Sequence, residues 1–291
     1  MIDAKGMTLK YPSGKGVFDL TFSVKEGEVM GYLGPNGAGK TTTIRALMGF
    51  MKPNSGICTI NGLDCYQNAA KIKENLGYIP GEISFPSGMS CMEFLKYQCT
   101  LRGIKDYSMM NSLIERFELD TKGKMKRFSK GMKQKVGIIT AFMHDPKVLI
   151  LDEPTSGLDP LMQNAFIDLI LHEKKKGKTI LMSSHMFEEV ERTCDNVLII
   201  KDGLVKAQSD IIELKSTKRK GYIVHTPQID ELKAMGYETY EISDGCCEIF
   251  VRGEDIDNLI KNLSKIKVNR FDSKPQNLEE IFLNYYGTES K

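Results

Sequence analysis

The run "GPNGAGKTT", residues 34 to 42, stands directly behind the apolar stretch "VMGYL" and restricts the fold more than any other feature of the chain. Gly34, Gly37 and Gly39 let the backbone turn tightly and bring successive N–H groups towards phosphate oxygens, an approach that Cβ atoms would obstruct. Lys40 then offers its ammonium to the β and γ phosphates, and the Thr41 hydroxyl is placed as a ligand for Mg²⁺. Pro35, Asn36, Ala38 and Thr42 complete the same cradle. Ile44, Leu47, Met48 and Met51 recur downstream at helical intervals, so the phosphates would meet a helix N-terminus, where unpaired amides and the helix dipole favour anions. Strand, loop and helix in this order predict an α/β fold with a nucleotide at the loop.

A second segment narrows the chemistry. In "VLILDEPTSGLDP", residues 148 to 160, Val148 to Leu151 form the continuous apolar run of a parallel strand buried on both faces. Two carboxylates follow at its C-terminal end, the edge at which such sheets gather ligands. Asp152 would hold Mg²⁺, directly or through water, and Glu153 would accept a proton from, or orient, the water that attacks the γ phosphate.

With 291 residues the chain has room for one large domain or two unequal ones. Forty Lys and Arg against 38 Asp and Glu leave a formal charge of +2, so the balance implies neither nucleic acid nor an acidic membrane surface as partner. The seven cysteines form no C-x-x-C pair, and adjacent Cys246 and Cys247 are poorly placed for a bridge; with no signal-like N-terminus, reduced thiols in a cytoplasmic protein are expected. The longest apolar runs, such as "VLIL" and "VLII", fall far short of the roughly 18 to 20 residues that cross a bilayer, so a soluble chain is expected.

"GPNGAGKTT", "FSKGMKQK", "LDEPTSGLDP" and "SSH", in this order over about residues 1 to 210, resemble the nucleotide-binding subunit of ATP-binding cassette (ABC) transporters. The resemblance implies a P-loop ABC ATPase domain: a RecA-like core with an antiparallel β subdomain and a helical subdomain. It makes Ser129 and Gly131 the signature sequence, which closes over the γ phosphate held by the other subunit of a dimer. A hydroxyl and free amides at a helix start suit an anion physically. By the same likeness His185, after the strand-like "TILMSS", is the switch histidine on the γ phosphate and acts with Glu153 and Lys40 in catalysis. Asp159 crosses the dimer interface, and Tyr11, in "LKYPSGKG", stacks on adenine. His144, His172 and His225 match nothing and read as ordinary.

Two departures from the family pattern stand out. Gly81 occupies the place of a glutamine that contacts Mg²⁺, which leaves that coordination place to water or to Glu82. Phe128, Lys130 and Met132 replace the common Leu, Gly and Gln of the signature.

The nucleotide domain is expected over 1–214, with the helical subdomain at 83–135. Ser90 with Glu93 makes a capping box; Phe94, Leu95 and Leu101 share one helix face, as do Met110, Leu113, Ile114 and Phe117 in the next helix. Phe85 and Met89, in "ISFPSGMS", are candidates for the contact with a membrane partner's helix. "KSTKRKG", 215–221, reads as a linker, and without aromatic interleaving it does not read as a nucleic-acid patch. Residues 222–291 follow the order βαββαβ of a small α+β ferredoxin-like domain, with a hairpin across "DG" and a last helix "NLEEIFLNYY". No ligand cluster lies there, so the domain reads as accessory or regulatory; its "LEEIF" is similar to segments in ATPase subunits of bacterial exporters.

The resemblance thus implies an ATP-hydrolysing subunit with ATP and Mg²⁺ as cofactors. Its partners would be a second copy of itself or a related ATPase subunit and an integral membrane permease, which would hold it peripherally on the inner face of the membrane and use it for export. The other reading is a soluble ABC ATPase acting as an assembly or regulatory factor. Chromosome-organising relatives need sustained heptads between the loop and Asp152, and tandem translation factors need two cassettes; neither is present in the sequence.

Overall fold

The computed structural model describes residues 1–86, 88–211, 219–252 and 255–274. Contacts divide the chain into two units, Met1–Ser209 and Asp210–Lys291.

The first unit begins with two long antiparallel strands, β1 (Ile2–Lys10) and β2 (Gly16–Val24), followed by β3 (Val29–Leu33) and, after the glycine loop, α1 (Lys40–Leu47). β4 (Ser55–Ile60) and β5 (Leu63–Asp64) join the opening pair in a four-stranded sheet of order β2-β1-β4-β5, the expected antiparallel layer. Next come α2 (Ala69–Glu74), β6 (Leu76–Ile79), α3 (Cys91–Leu101), α4 (Ser108–Arg116), α5 (Lys130–Phe142) and β7 (Val148–Asp152). α6 (Pro160–Lys175), β8 (Thr179–Ser184), α7 (Phe187–Thr193), β9 (Asn196–Lys201) and β10 (Leu204–Asp210) close the series.

β3 and β6 to β10 form a six-stranded sheet of order β10-β9-β3-β8-β7-β6, in which β6, β7, β8, β3 and β9 run parallel. β3, β7 and β8 are buried at every position, as a sheet covered on both faces requires. Register pairs Leu33 with Ser184 and Asp152 with Ser183, so the glycine loop, the paired carboxylates and His185 all leave the sheet from one edge. Ile44, Ala46 and Leu47 of α1 pack with Met30, Tyr32, Ile150 and Leu181 in the core beneath that edge.

In the helical part, the capping box is formed: Glu93 N–H donates to Ser90 Oγ (3.3 Å) and Ser90 N–H to Glu93 Oε2 (2.8 Å). Phe94, Leu95, Met110, Leu113 and Phe117 are core, whereas Leu101 is 63% exposed, which corrects its expected place on the buried face. It is the last residue of α3, where a periodic pattern does not reveal that the covering layer has ended. Phe85 and Met89 are half-buried, and the Phe85 ring packs edge-on against Phe94 with centroids 5.0 Å apart.

The second unit contains β11 (Arg219–His225), α8 (Ile229–Ala234), β12 (Thr239–Ser243), β13 (Cys246–Arg252), α9 (Ile256–Leu263) and β14 (Arg270–Lys274). Its sheet has the order β12-β13-β11-β14 with every neighbouring pair antiparallel, the arrangement of a split βαβ unit. Gly245, at φ 71°, makes the tight turn of the β12–β13 hairpin. Tyr222, Val224, Cys247, Ile249 and Val251 from the strands meet Leu232, Leu259 and Leu263 from the helices in a separate core. β11 begins inside the stretch expected as a linker, because Arg219 already pairs with Arg252. Residues 212–218 and the segment "NLEEIFLNYY" lie outside the described residues. All seven cysteines are free thiols.

Candidate nucleotide site

Gly37 and Gly39 hold φ values of 82° and 112°, a region that side chains with a Cβ rarely adopt. Gly39 is also the N-cap of α1, with no side chain occupying the first amides of the helix. Those amides are therefore free to bind an anion. Lys40 is only 5% exposed. Its Nζ donates to the carbonyls of Gly34 (2.7 Å) and Pro35 (3.3 Å) and lies 3.6 Å from Glu153 Oε1. A buried ammonium held by two neutral carbonyls and an offset carboxylate suits a phosphate oxygen as a stronger partner.

Asp152, 1% exposed, ends β7 with both oxygens engaged. Ser183 Oγ donates to Oδ1 (2.5 Å), and Thr41 Oγ1 donates to Oδ2 (2.9 Å). A carboxylate and a hydroxyl meeting from two different elements are hard oxygen donors, the set that fits Mg²⁺. A Cβ at Gly81 would lie 3.1 Å from Asp152 Oδ2, so this position faces the site but supplies no side-chain ligand. Glu82 beside it is exposed.

Glu153 takes a left-handed backbone, φ 48°, which is uncommon outside glycine and turns its side chain off the strand direction. Its N–H donates to the Ser183 carbonyl (3.2 Å) and to Ser183 Oγ (3.1 Å). From the other side Gln134 of α5, 3% exposed, donates through Nε2 to the carbonyls of Pro154 (2.7 Å) and Glu153 (3.4 Å). Thus braced, Glu153 places Oε2 3.5 Å from Nδ1 of the exposed His185.

Lys40, Thr41, Asp152, Glu153 and His185 are therefore brought together, and the signature residues stand elsewhere. Exposed Ser129 is the N-cap of α5 and accepts from Met132 N–H (3.2 Å). Lys130 Nζ donates to Ser156 Oγ (2.7 Å), and a Cβ at Gly131 would lie 2.6 Å from the Gly157 carbonyl oxygen. The start of α5 thus leans on the loop after Glu153; among the described residues no hydrogen bond joins Ser129 or Gly131 to the glycine loop of the same chain. Asp159 caps α6, accepting from Met162 N–H (3.0 Å). The half-buried Tyr11 accepts from Arg45 Nη1 (3.4 Å) and donates to Met51 Sδ (3.5 Å). Burial raises its phenol pKa, but hydrogen bonds with Thr42 and Arg45 outweigh that and leave the group below its ordinary value. Its ring is thereby tied to α1 beside the loop.

Sequence reasoning missed Gln134, Ser183 and Glu189. Gln134 had a readable signal, a polar residue one turn before Ile138 in an otherwise apolar stripe. Glu189 had none, since it lies among Glu188 and Glu191 in one short segment.

A glycine loop opening a helix, a buried lysine and a strand ending in paired carboxylates define a P-loop nucleotide-binding domain. The family model described as ABC transporter matches residues 17–156. The chain is 34% identical over 290 residues to the uncharacterized ABC transporter ATP-binding protein YdbJ of Bacillus subtilis (strain 168), covering 97% of this chain and 94% of that protein. It is 38% identical over 224 residues to the bacitracin transport ATP-binding protein BcrA of Bacillus licheniformis, covering 76% and 73%. A solved structure described as the ATP binding subunit of an ABC transporter superposes with a TM-score of 0.68 at 29% identity, over 91% of this chain and 99% of that one. The chain belongs to the ABC transporter family, as an ATP-binding subunit. Among the described residues no helix is long and apolar enough to cross a membrane.

Proposed function

We propose that the chain hydrolyses ATP as the motor of an ABC transporter, dimerising around two ATP molecules with a second copy or a related ATPase subunit and driving a separate membrane permease. The observation that carries this reading is the convergence of Lys40, Asp152, Glu153 and His185 at one edge of the parallel sheet. The loop amides over residues 34–42 and the Lys40 ammonium hold the β and γ phosphates, Lys40 exchanging the Gly34 and Pro35 carbonyls for phosphate oxygens. Tyr11 offers a ring face to adenine. Thr41 and Asp152 would hold Mg²⁺, which when bound offsets phosphate charge. Glu153 takes a proton from, or orients, the attacking water, and His185, 3.5 Å away, contacts the γ-phosphate oxygen. A base positioned in this way contributes about 10²–10⁴-fold.

Ser129 and Gly131 complete the site in trans, and Asp159 couples the two sites across the interface. The exposed setting of Ser129, away from its own glycine loop, supports that reading. The nucleotide domain is assigned to 1–214 with its helical subdomain at 83–135, and an accessory domain to 222–291. Transport is supported by the name of the BcrA relative, and export by the likeness of "LEEIF" to exporter subunits. The permease would hold the chain on the inner face of the membrane.

Light scattering of Glu153→Gln with saturating Mg²⁺ and ATP tests the composite site. A dimer is expected, with reversion to monomer on adding Ser129→Arg. A Glu153→Gln protein that stays monomeric with ATP bound overturns the trans arrangement.

A further inference from the structure

Glu189, in the first turn of α7, is 2% exposed and lies outside the group of residues assigned to the nucleotide. Its Oε2 accepts from Ser184 Oγ (2.7 Å) and from Thr155 Oγ1 (3.3 Å). Ser184 immediately precedes His185, and Thr155 is two residues beyond Glu153. One buried carboxyl therefore joins the two segments whose side chains meet at 3.5 Å across the site. Ser184 Oγ also accepts from Met186 N–H (2.9 Å), which fixes the turn around the histidine.

The setting differs from that of an ordinary buried carboxylate. Glu173, 0% exposed, is matched by the ammonium groups of Lys176 and Lys178. Among the described residues Glu189 has hydroxyl partners and no ion pair, and its Oε1 has no hydrogen-bond partner. Burial, with a smaller push from the Glu153 charge, raises its pKa to about 7 against the pull of the two hydroxyls. A carboxyl held at that cost where a neutral apolar residue would pack needs another reason to be there. Beside it a cavity of about 150 Å³ is lined in part by Thr155, Gln163, Asn164, Met186 and Arg192. Space on this side of Thr155 gives its side chain room to shift once its hydrogen bond is lost.

We propose that Glu189 is a positioning residue for hydrolysis: by holding Thr155 and Ser184 from behind the site, it sets the separation of Glu153 and His185. The inference rests on the roles given to those two residues above. Misplacing a reacting group by about 1 Å costs on the order of 10²-fold.

Steady-state ATP hydrolysis and melting temperature of the full chain test this with Glu189→Gln, Glu189→Leu, Thr155→Val and the double variant Glu189→Leu/Thr155→Val. Glu189→Leu should lower kcat about 10–100-fold with KM for ATP within about twofold, since the nucleotide contacts are untouched. Glu189→Gln, whose amide oxygen accepts the same two hydroxyls, should keep at least about a third of kcat. Thr155→Val, which keeps the branched shape of the side chain, should lower kcat, and the double variant should be no slower than Glu189→Leu alone, because both remove one tie. A wild-type kcat in Glu189→Leu overturns the proposal, as does a Gln variant as slow as the Leu variant. If Glu189→Leu does not fold, a wild-type kcat in Thr155→Val does the same. Glu153→Gln run alongside separates the two claims: if it hydrolyses ATP at the wild-type rate, the base assignment itself fails, whatever the Glu189 variants do.

Discussion

In the first unit β3, β7 and β8 are buried along their whole length, and Asp152, Ser183 and Ser184 stand together where β7 and β8 end. In the second unit the sheet is antiparallel throughout, with helices against one face, and polar groups are spread along the strands; the edge strands β12 and β14 are mostly exposed where described. Its described residues contain no group of three or more His, Cys, Asp or Glu suited to a metal, and the ion pair between Lys233 and Glu241 is exposed. A parallel sheet concentrates its chemistry at one edge; an antiparallel sheet open on one side has no such focus.

Lys40→Ala tests the edge itself. Removing a charge-assisted contact worth about 1.5–3 kcal/mol should weaken ATP binding by at least about tenfold, measured by calorimetry. Unchanged ATP affinity would break the assignment of the edge. Ile249→Ala strikes the other unit: Ile249 is fully buried in its core, and the cavity should destabilise that unit by about 2–5 kcal/mol. Denaturant melts should show the loss while turnover per molecule stays within about twofold; a matching fall in turnover would show that the second unit feeds the site.

A third effect is read in pH. Glu189 has a folded pKa of about 7 against an ordinary 4.5, so the folded state binds more protons between those values. Its contribution to stability is full below about pH 4.5 and is lost as pH rises through 7. Glu189→Gln carries no such proton, and its stability relative to wild type should rise by about 2–3 kcal/mol from pH 5 to pH 8, measured by chemical denaturation. His144 lies in the same unit with its pKa lowered to about 4, chiefly by burial, and gives the opposite slope, stability being lost as pH falls from 6.5 through 4. Comparing the variant with wild type at each pH cancels that contribution. A constant difference would mean that Glu189 is not held neutral.

The glycine loop and the Asp152–Glu153 pair stand out in the sequence because the proposed ligands, a phosphate and a metal, would dictate residue types over a few consecutive positions. The βαββαβ order of the second unit was legible for a different reason: short apolar runs separated by turn residues determine elements, and their order restricts the pairings. Leu101 was misread because periodicity assigns a face to a helix without saying where its neighbours stop. Glu189 stayed hidden because three glutamates share seven residues of α7, and only the turn after β8 selects which one points inward. The start of β11 at Arg219 was obscured in turn by the charge of "KSTKRKG", since strand pairing with β13 overrides composition there.

The central claim is that the strand edge is a hydrolytic site with Glu153 as its base. The turnover of Glu153→Gln, measured at saturating ATP beside its ATP affinity, tests it most directly. The expected result is a kcat lowered by about 100-fold or more with affinity unchanged; turnover at the wild-type rate would contradict it.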